Sequence, residues 1–166
     1  MKQLLRGMAI GLALIAVASI GRAADDGWVK YEAKDYGFSM LVPEGTKFAE
    51  KEWGDGWGEL HAESDGVHLY GLAKKGAPAT PEEIEKVGVK LTGIPSSAWT
   101  QLKEGKNAGG WIWYRTVVAS KGGKLIIGDY GAGKKASYLL ILETTESDYK
   151  ENKADYVKWY ESIQIQ

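Results

Sequence analysis

Residues 138–163 read YLLILETTESDYKENKADYVKWYESI, and the change of period inside that stretch decides the fold. Leu139 to Leu142 is an apolar run of strand length that stops at Glu143-Thr144-Thr145-Glu146. From there Tyr149, Lys153, Tyr156, Val157, Tyr160 and Ile163 recur at helical spacing and share one stripe, to which Lys153 brings its alkyl stem. Thr145 is placed to cap the first free amides, Glu146 and Asp148 suit the positive end of the helix dipole, and Glu146 with Lys150 makes a favourable i,i+4 pair. The expectation is a sheet with a long amphipathic helix lying across it, held through its tyrosines.

The opposite end of the chain reads as an address. Lys2 and Arg6 precede an apolar stretch from Met8 to Ile20, and Gly21-Arg22-Ala23 puts small residues where a signal peptidase looks for them. The stretch is shorter than the roughly 20 residues that span a bilayer, so residues 1–23 are expected to be a cleaved export signal. That leaves residues 24–166 as one domain, free of stable membrane insertion and periplasmic or secreted. Cleavage removes Lys2, Arg6 and Arg22 but no acid, which shifts the formal charge from −1 to about −4. A mildly acidic chain without basic clusters speaks against nucleic acid as a partner. The sequence contains no cysteine, which excludes disulfides and thiolate metal sites. Packing must hold the domain, and seven tryptophans with nine tyrosines are well suited to it.

Between the two ends the turns punctuate strands. Tyr36-Gly37-Phe38-Ser39-Met40-Leu41-Val42-Pro43 reads as a strand stopped by proline. Trp53-Gly54-Asp55-Gly56-Trp57-Gly58 is a glycine-rich turn that leads into a hairpin with Asp65-Gly66 at its tip. Thr80-Pro81-Glu82-Glu83 opens a helix by cap, proline and capping box, and Ile84, Val87, Gly88 and Leu91 give it a buried stripe as far as Gly93. Ala98 to Glu104 fits a strand or a helical turn, followed by a turn at Gly105-Lys106-Asn107. Trp111 to Ala119 and Lys124 to Tyr130 form a second hairpin around Lys121-Gly122-Gly123, bulky on both faces and therefore covered on both.

A short N-terminal strand, a Gly-Phe-Ser-Met-Leu-Val-Pro strand and a last strand running into a terminal helix resemble the PsbP-like fold. That superfamily includes the extrinsic photosystem II protein PsbP, a nuclear Ran-binding import factor and exported bacterial proteins. The resemblance implies an α+β class, a single-domain α/β/α sandwich around a mainly antiparallel, twisted sheet. It transfers no active site, because the fold hosts unrelated roles.

Three constellations carry possible chemistry. Gly128-Asp129-Tyr130-Gly131-Ala132-Gly133-Lys134-Lys135 fits a phosphate loop up to its last position, where lysine replaces the Ser or Thr that holds magnesium, and a strand rather than a helix follows. It is read as a hairpin loop. If Asp65-Gly66 is a two-residue turn, His61, Glu63, His68 and Tyr70 share the face opposite Leu60, Ala62, Val67 and Leu69. Two imidazoles and a carboxylate are a minimal set for zinc or copper. Diagonal neighbours on a flat sheet stand too far apart to chelate, so closing the set requires a strongly twisted hairpin. No Gly-x-Ser-x-Gly elbow occurs.

The third constellation is aromatic. Trp53 and Trp57, together with Trp111, Trp113, Arg115 and Tyr130, are expected to form a contact surface if they are exposed. The function expected on this basis is a non-enzymatic binding or accessory protein of the cell envelope, contacting a protein partner or small ligand without a cofactor. The alternative is an envelope metal-binding protein or metal-dependent hydrolase built on His61, Glu63 and His68.

Overall fold

The computed structural model describes residues 27–166 together with the backbone of Ser19–Ile20. The export signal read over residues 1–23 lies outside the described residues apart from that dipeptide. In chain order the strands are β1 (Ser19–Ile20), β2 (Trp28–Ala33), β3 (Phe38–Pro43), β4 (Lys47–Gly54), β5 (Trp57–Ser64) and β6 (Val67–Lys75). After helix α1 (Pro81–Thr92) come β7 (Thr100–Ala108), β8 (Trp111–Lys121), β9 (Lys124–Gly133) and β10 (Ala136–Thr145). Helices α2 (Glu146–Glu151) and α3 (Lys153–Ser162) and the short strand β11 (Gln164–Ile165) close the chain.

The strands form two sheets, one in the order β4-β5-β6-β10-β9-β8-β7 and a smaller one in the order β1-β2-β3-β11. Every pairing in both is antiparallel. The large sheet is the middle layer. Ile84 of α1 packs on one face with Trp57, Leu72, Ile126, Leu139 and Ile141. The other face, with Leu60, Ala62, Tyr138, Leu140 and Leu142, is covered by the small sheet and by Trp159 of α3. Successive residues of β10 therefore enter opposite cores, which is why 138–142 must be apolar without interruption. No helix among the described residues is long and apolar enough to cross a membrane.

The capping box at Thr80 and Glu83 forms, with Thr80 Oγ1 accepting from the Glu83 amide at 3.3 Å and Glu83 accepting from the Thr80 amide at 2.8 Å. Five details of the sequence reading need correction. Of the stretch 128–135 read as a hairpin loop, residues 128–133 belong to β9 and only Lys134-Lys135 connect it to β10. The C-terminal helix is broken at Asn152, whose backbone is not helical and whose side chain donates to Asp148 at 2.8 Å. Tyr149, Tyr156, Tyr160 and Ile163 still pack against one core across the break, but Val157 is exposed and Trp159 is the buried residue of α3. Gly105-Lys106-Asn107 lies inside β7, and the turn falls at Gly109-Gly110, both of positive φ. Finally, the Trp53-to-Trp57 turn connects two strands, because Lys47–Gly54 forms β4 at the sheet's edge.

Candidate functional site

The Asp65-Gly66 turn builds the first candidate. Both residues have positive φ, 50° and 80°, as a two-residue hairpin turn demands. Ser64 then faces Val67, Glu63 faces His68, Ala62 faces Leu69 and His61 faces Tyr70. Leu60, Ala62 and Leu69 enter the core below the small sheet, which leaves both histidines and Glu63 on the opposite face. The right-handed twist of the hairpin closes the diagonal: His61 Nε2 and His68 Nδ1 stand 2.9 Å apart. One ligand atom from each of His61, Glu63 and His68 lies within 4.8 Å of the others. Tyr70 stacks on the His61 ring with centroids 4.7 Å apart and planes at 9°. Burial first, then the carboxylates of Glu143, Glu59 and Glu63, push the Tyr70 phenol up, so it stays a neutral buttress. Glu143, opposite His68 on the other side, is paired with Lys124 at 2.8 Å.

The structure divides the aromatic residues read as a contact surface. Trp111 and Trp113 face opposite ways, because the register between β8 and β9 shifts at Ile112. Trp111 packs edge-on against Tyr138 in the core beneath the small sheet, whereas Trp113 packs edge-on against Tyr130 below α1. Trp57 is only 4% exposed and Tyr130 only 2%. Trp53 is half-buried, with the ammonium groups of Lys51 and Lys90 about its ring at 5.0 and 5.2 Å. Arg115 is held by Glu85 at 3.4 Å and by Glu104 at 3.9 Å. The Tyr130 hydroxyl donates to Glu85 at 2.5 Å, and burial, followed by that carboxylate, pushes its pKa up to about 12. These residues join α1 to the sheet. Among the described residues the large exposed apolar side chains are Leu102, Ile112 and Val157, none of them aromatic.

A third place was not legible in the sequence. Between the tip of the β5–β6 hairpin and the α2–α3 corner lies a cleft of about 190 Å³. Trp28 and Trp159 line it with Ala62, Val67 and Leu69, and Asp65, Asp148 and Asp155 ring it. The Asp148 carboxylate accepts from the hydroxyls of Thr144 and Tyr156, and these bonds hold it below the usual carboxylate range. In the sequence Asp148 and Asp155 look like ordinary helix-end and solvent-facing acids; in the structure one stands in α2 and the other in α3, on either side of Asn152, and both line the cleft.

No protein-family profile matches the sequence, and no curated protein matches it. Solved structures do match. The solution structure of cyanobacterial PsbP (CyanoP) from Synechocystis sp. PCC 6803 superimposes with a TM-score of 0.60 at 12% identity, covering 90% of this chain and 99% of that one. The fold is PsbP-like. A crystal structure from Bacteroides thetaiotaomicron VPI-5482 matches with a TM-score of 0.41 at 12% identity over 82% of this chain and 48% of that one. At such identity the likeness concerns the backbone of the PsbP-like domain, and a role has to be argued from its own side chains.

Proposed function

We propose that this chain is an exported, non-enzymatic accessory domain of the cell envelope that receives a cationic side chain of a protein partner in the Trp28–Trp159 cleft. Export rests on the charged start, apolar run and small residues of 2–23. The observation that carries the binding reading is the pairing of two tryptophans with three aspartates around one concavity. A cleft of about 190 Å³ falls below the roughly 300–1,000 Å³ of small-molecule pockets, and it suits one inserted side chain. Arginine is the natural occupant, since its planar guanidinium pairs with carboxylates in fork geometry while its aliphatic stem packs on the apolar lining. The cleft and the histidines occupy opposite faces of the same hairpin, so the two do not combine into one hydrolytic site.

Titration with N-acetyl-arginine amide, followed through the indole N–H resonances of Trp28 and Trp159, tests this reading. Saturable shifts with a Kd of about 1 mM are expected, weakened at least tenfold in an Asp65→Asn/Asp155→Asn variant. Both aspartates are exposed, so the exchange leaves the core alone. Resonances that stay in place at tens of millimolar ligand would sink the proposal.

A further inference from the structure

We propose that His61, Glu63 and His68 form a site for a divalent transition metal ion of borderline softness, Zn(II) or Cu(II), on the face of the hairpin turned away from the cleft. Two half-buried imidazoles meet nitrogen to nitrogen at 2.9 Å. At this distance one ring nitrogen donates to the other, so the two nitrogens are aimed at a common point. With the proton of each neutral ring on its other nitrogen, His61 Nε2 and His68 Nδ1 both offer lone pairs, and a metal ion can bridge them in place of the N–H···N bond. With metal–nitrogen bonds of about 2.05 Å and tetrahedral angles, the two nitrogens would stand about 3.3 Å apart. The rings need to part by only a few tenths of an ångström, which is within the reach of their side-chain torsions. Glu63, exposed at the rim, supplies the third donor from within the same 4.8 Å circle.

The donor set selects the ion. Imidazole nitrogen suits zinc, copper and nickel, whereas calcium and magnesium take six or more oxygens. The chain has no cysteine, which removes the thiolates that favour Cu(I). Two nitrogens and one oxygen leave a tetrahedral ion one position short, and at the hairpin surface that position is open to water or to a donor from outside. Such a site exchanges its metal with solution, in contrast to a closed structural site with four protein ligands. Tyr70 is a positioning residue: its ring lies flat on His61 and fixes the direction of Nε2. Glu143 is held by Lys124 and stays outside the ligand set.

The untagged full chain, titrated with zinc chloride and with copper sulfate in a non-chelating buffer, tests this directly. One ion per chain is expected, with imidazole nitrogen shifts at His61 and His68 in the zinc titration and a rise in Tm. His61→Gln and His68→Gln should each weaken binding by at least about 100-fold, since even outer-sphere partners of metal ligands cost 10–100-fold. Tyr70→Phe keeps the stacked ring and should keep the affinity, whereas Tyr70→Leu should lose about tenfold. Metal-free variants that melt with the parent show that folding is not the cause. Should a histidine variant fold poorly, Glu63→Gln at its exposed position carries the test, with an expected loss of about tenfold or more. Binding that survives both histidine substitutions overturns the proposal, as does equal competition by magnesium or calcium, or imidazole resonances unmoved by zinc. The Asp65→Asn/Asp155→Asn variant should take up metal as the parent does, so failure at the cleft and failure at the histidines are told apart.

Discussion

The indole N–H of Trp159 points at the sulfur of Met40, 3.2 Å away across 119 residues of sequence. Through this contact α3 is tied to the middle of β3, and Ser162 adds a second tie by accepting from the Leu41 amide at 2.8 Å. Trp159 is also a wall of the cleft, so fold and candidate site share it. Replacing it with alanine should cost about 3–5 kcal/mol in chemical denaturation. Trp159→Phe, which keeps the apolar bulk and loses the N–H donor, should cost clearly less. A Trp159→Ala variant as stable as the parent would show that α3 is not fastened here.

Asp129 is buried in the large sheet, where its carboxylate accepts from Thr116 Oγ1 at 2.5 Å. Desolvation raises its pKa, and the bonds from Thr116 and Tyr160 and the charge of Lys103 only partly oppose it. A carboxyl whose folded pKa lies above its unfolded value binds its proton more tightly when folded. Its stabilising share is therefore complete below the unfolded pKa of 3.8 and is lost as pH rises through the folded value. Between pH 3 and pH 7 an Asp129→Asn variant should gain stability relative to the parent. Parallel urea curves over that range would show that burial does not govern this group.

Part of this was legible because some turns leave no freedom. Asp65-Gly66 fixes the pairing of 60–70 residue by residue, and the uninterrupted run at 138–142 announces a strand buried on both faces. The two edges of the large sheet gave no such signal. β4 reads KFAEKEWG and β7 reads TQLKEGKNA, mostly exposed and without alternation, as suits strands that must not recruit neighbours. Nothing in Trp111-Ile112-Trp113 marks the bulge that sends its two tryptophans into different cores, so an expected patch became two packing contacts. The meeting of His61 with His68 depends on the degree of twist, which sequence leaves open, and the cleft lies where the hairpin tip meets the α2–α3 corner, a tertiary contact that no local pattern announces.

Tyr138 is fully buried, and its hydroxyl donates to the Tyr36 carbonyl, joining β10 to the turn before β3. Burial pushes its pKa up to about 12 from an ordinary 10.0. The sign is the same as for Asp129: its contribution is whole below pH 10 and is lost as pH rises through the folded value. Tyr138→Phe should cost about 1 kcal/mol at neutral pH. That difference should shrink between pH 10 and 12, because only the parent then has a phenol to ionise. A difference that stays constant to pH 12 would contradict the assignment.

Gly88 sets two effects against each other. In the interior of α1, alanine is favoured over glycine by about 1 kcal/mol. A β-carbon at 88, however, would overlap the Trp99 indole and come within 3.3 Å of the Leu139 side chain. Trp99 has little room to yield, because its N–H donates to the Ile94 carbonyl at 3.1 Å and its ring packs edge-on against Tyr130. Overpacking of this kind costs about 1–3 kcal/mol, so the clash should win and Gly88→Ala should destabilise the domain. In a Trp99→Leu background the overlap is gone, and the same substitution should become neutral or stabilising. Thermal melts of the four proteins in that cycle decide the matter, and an equal penalty in both backgrounds would assign it to Leu139 instead.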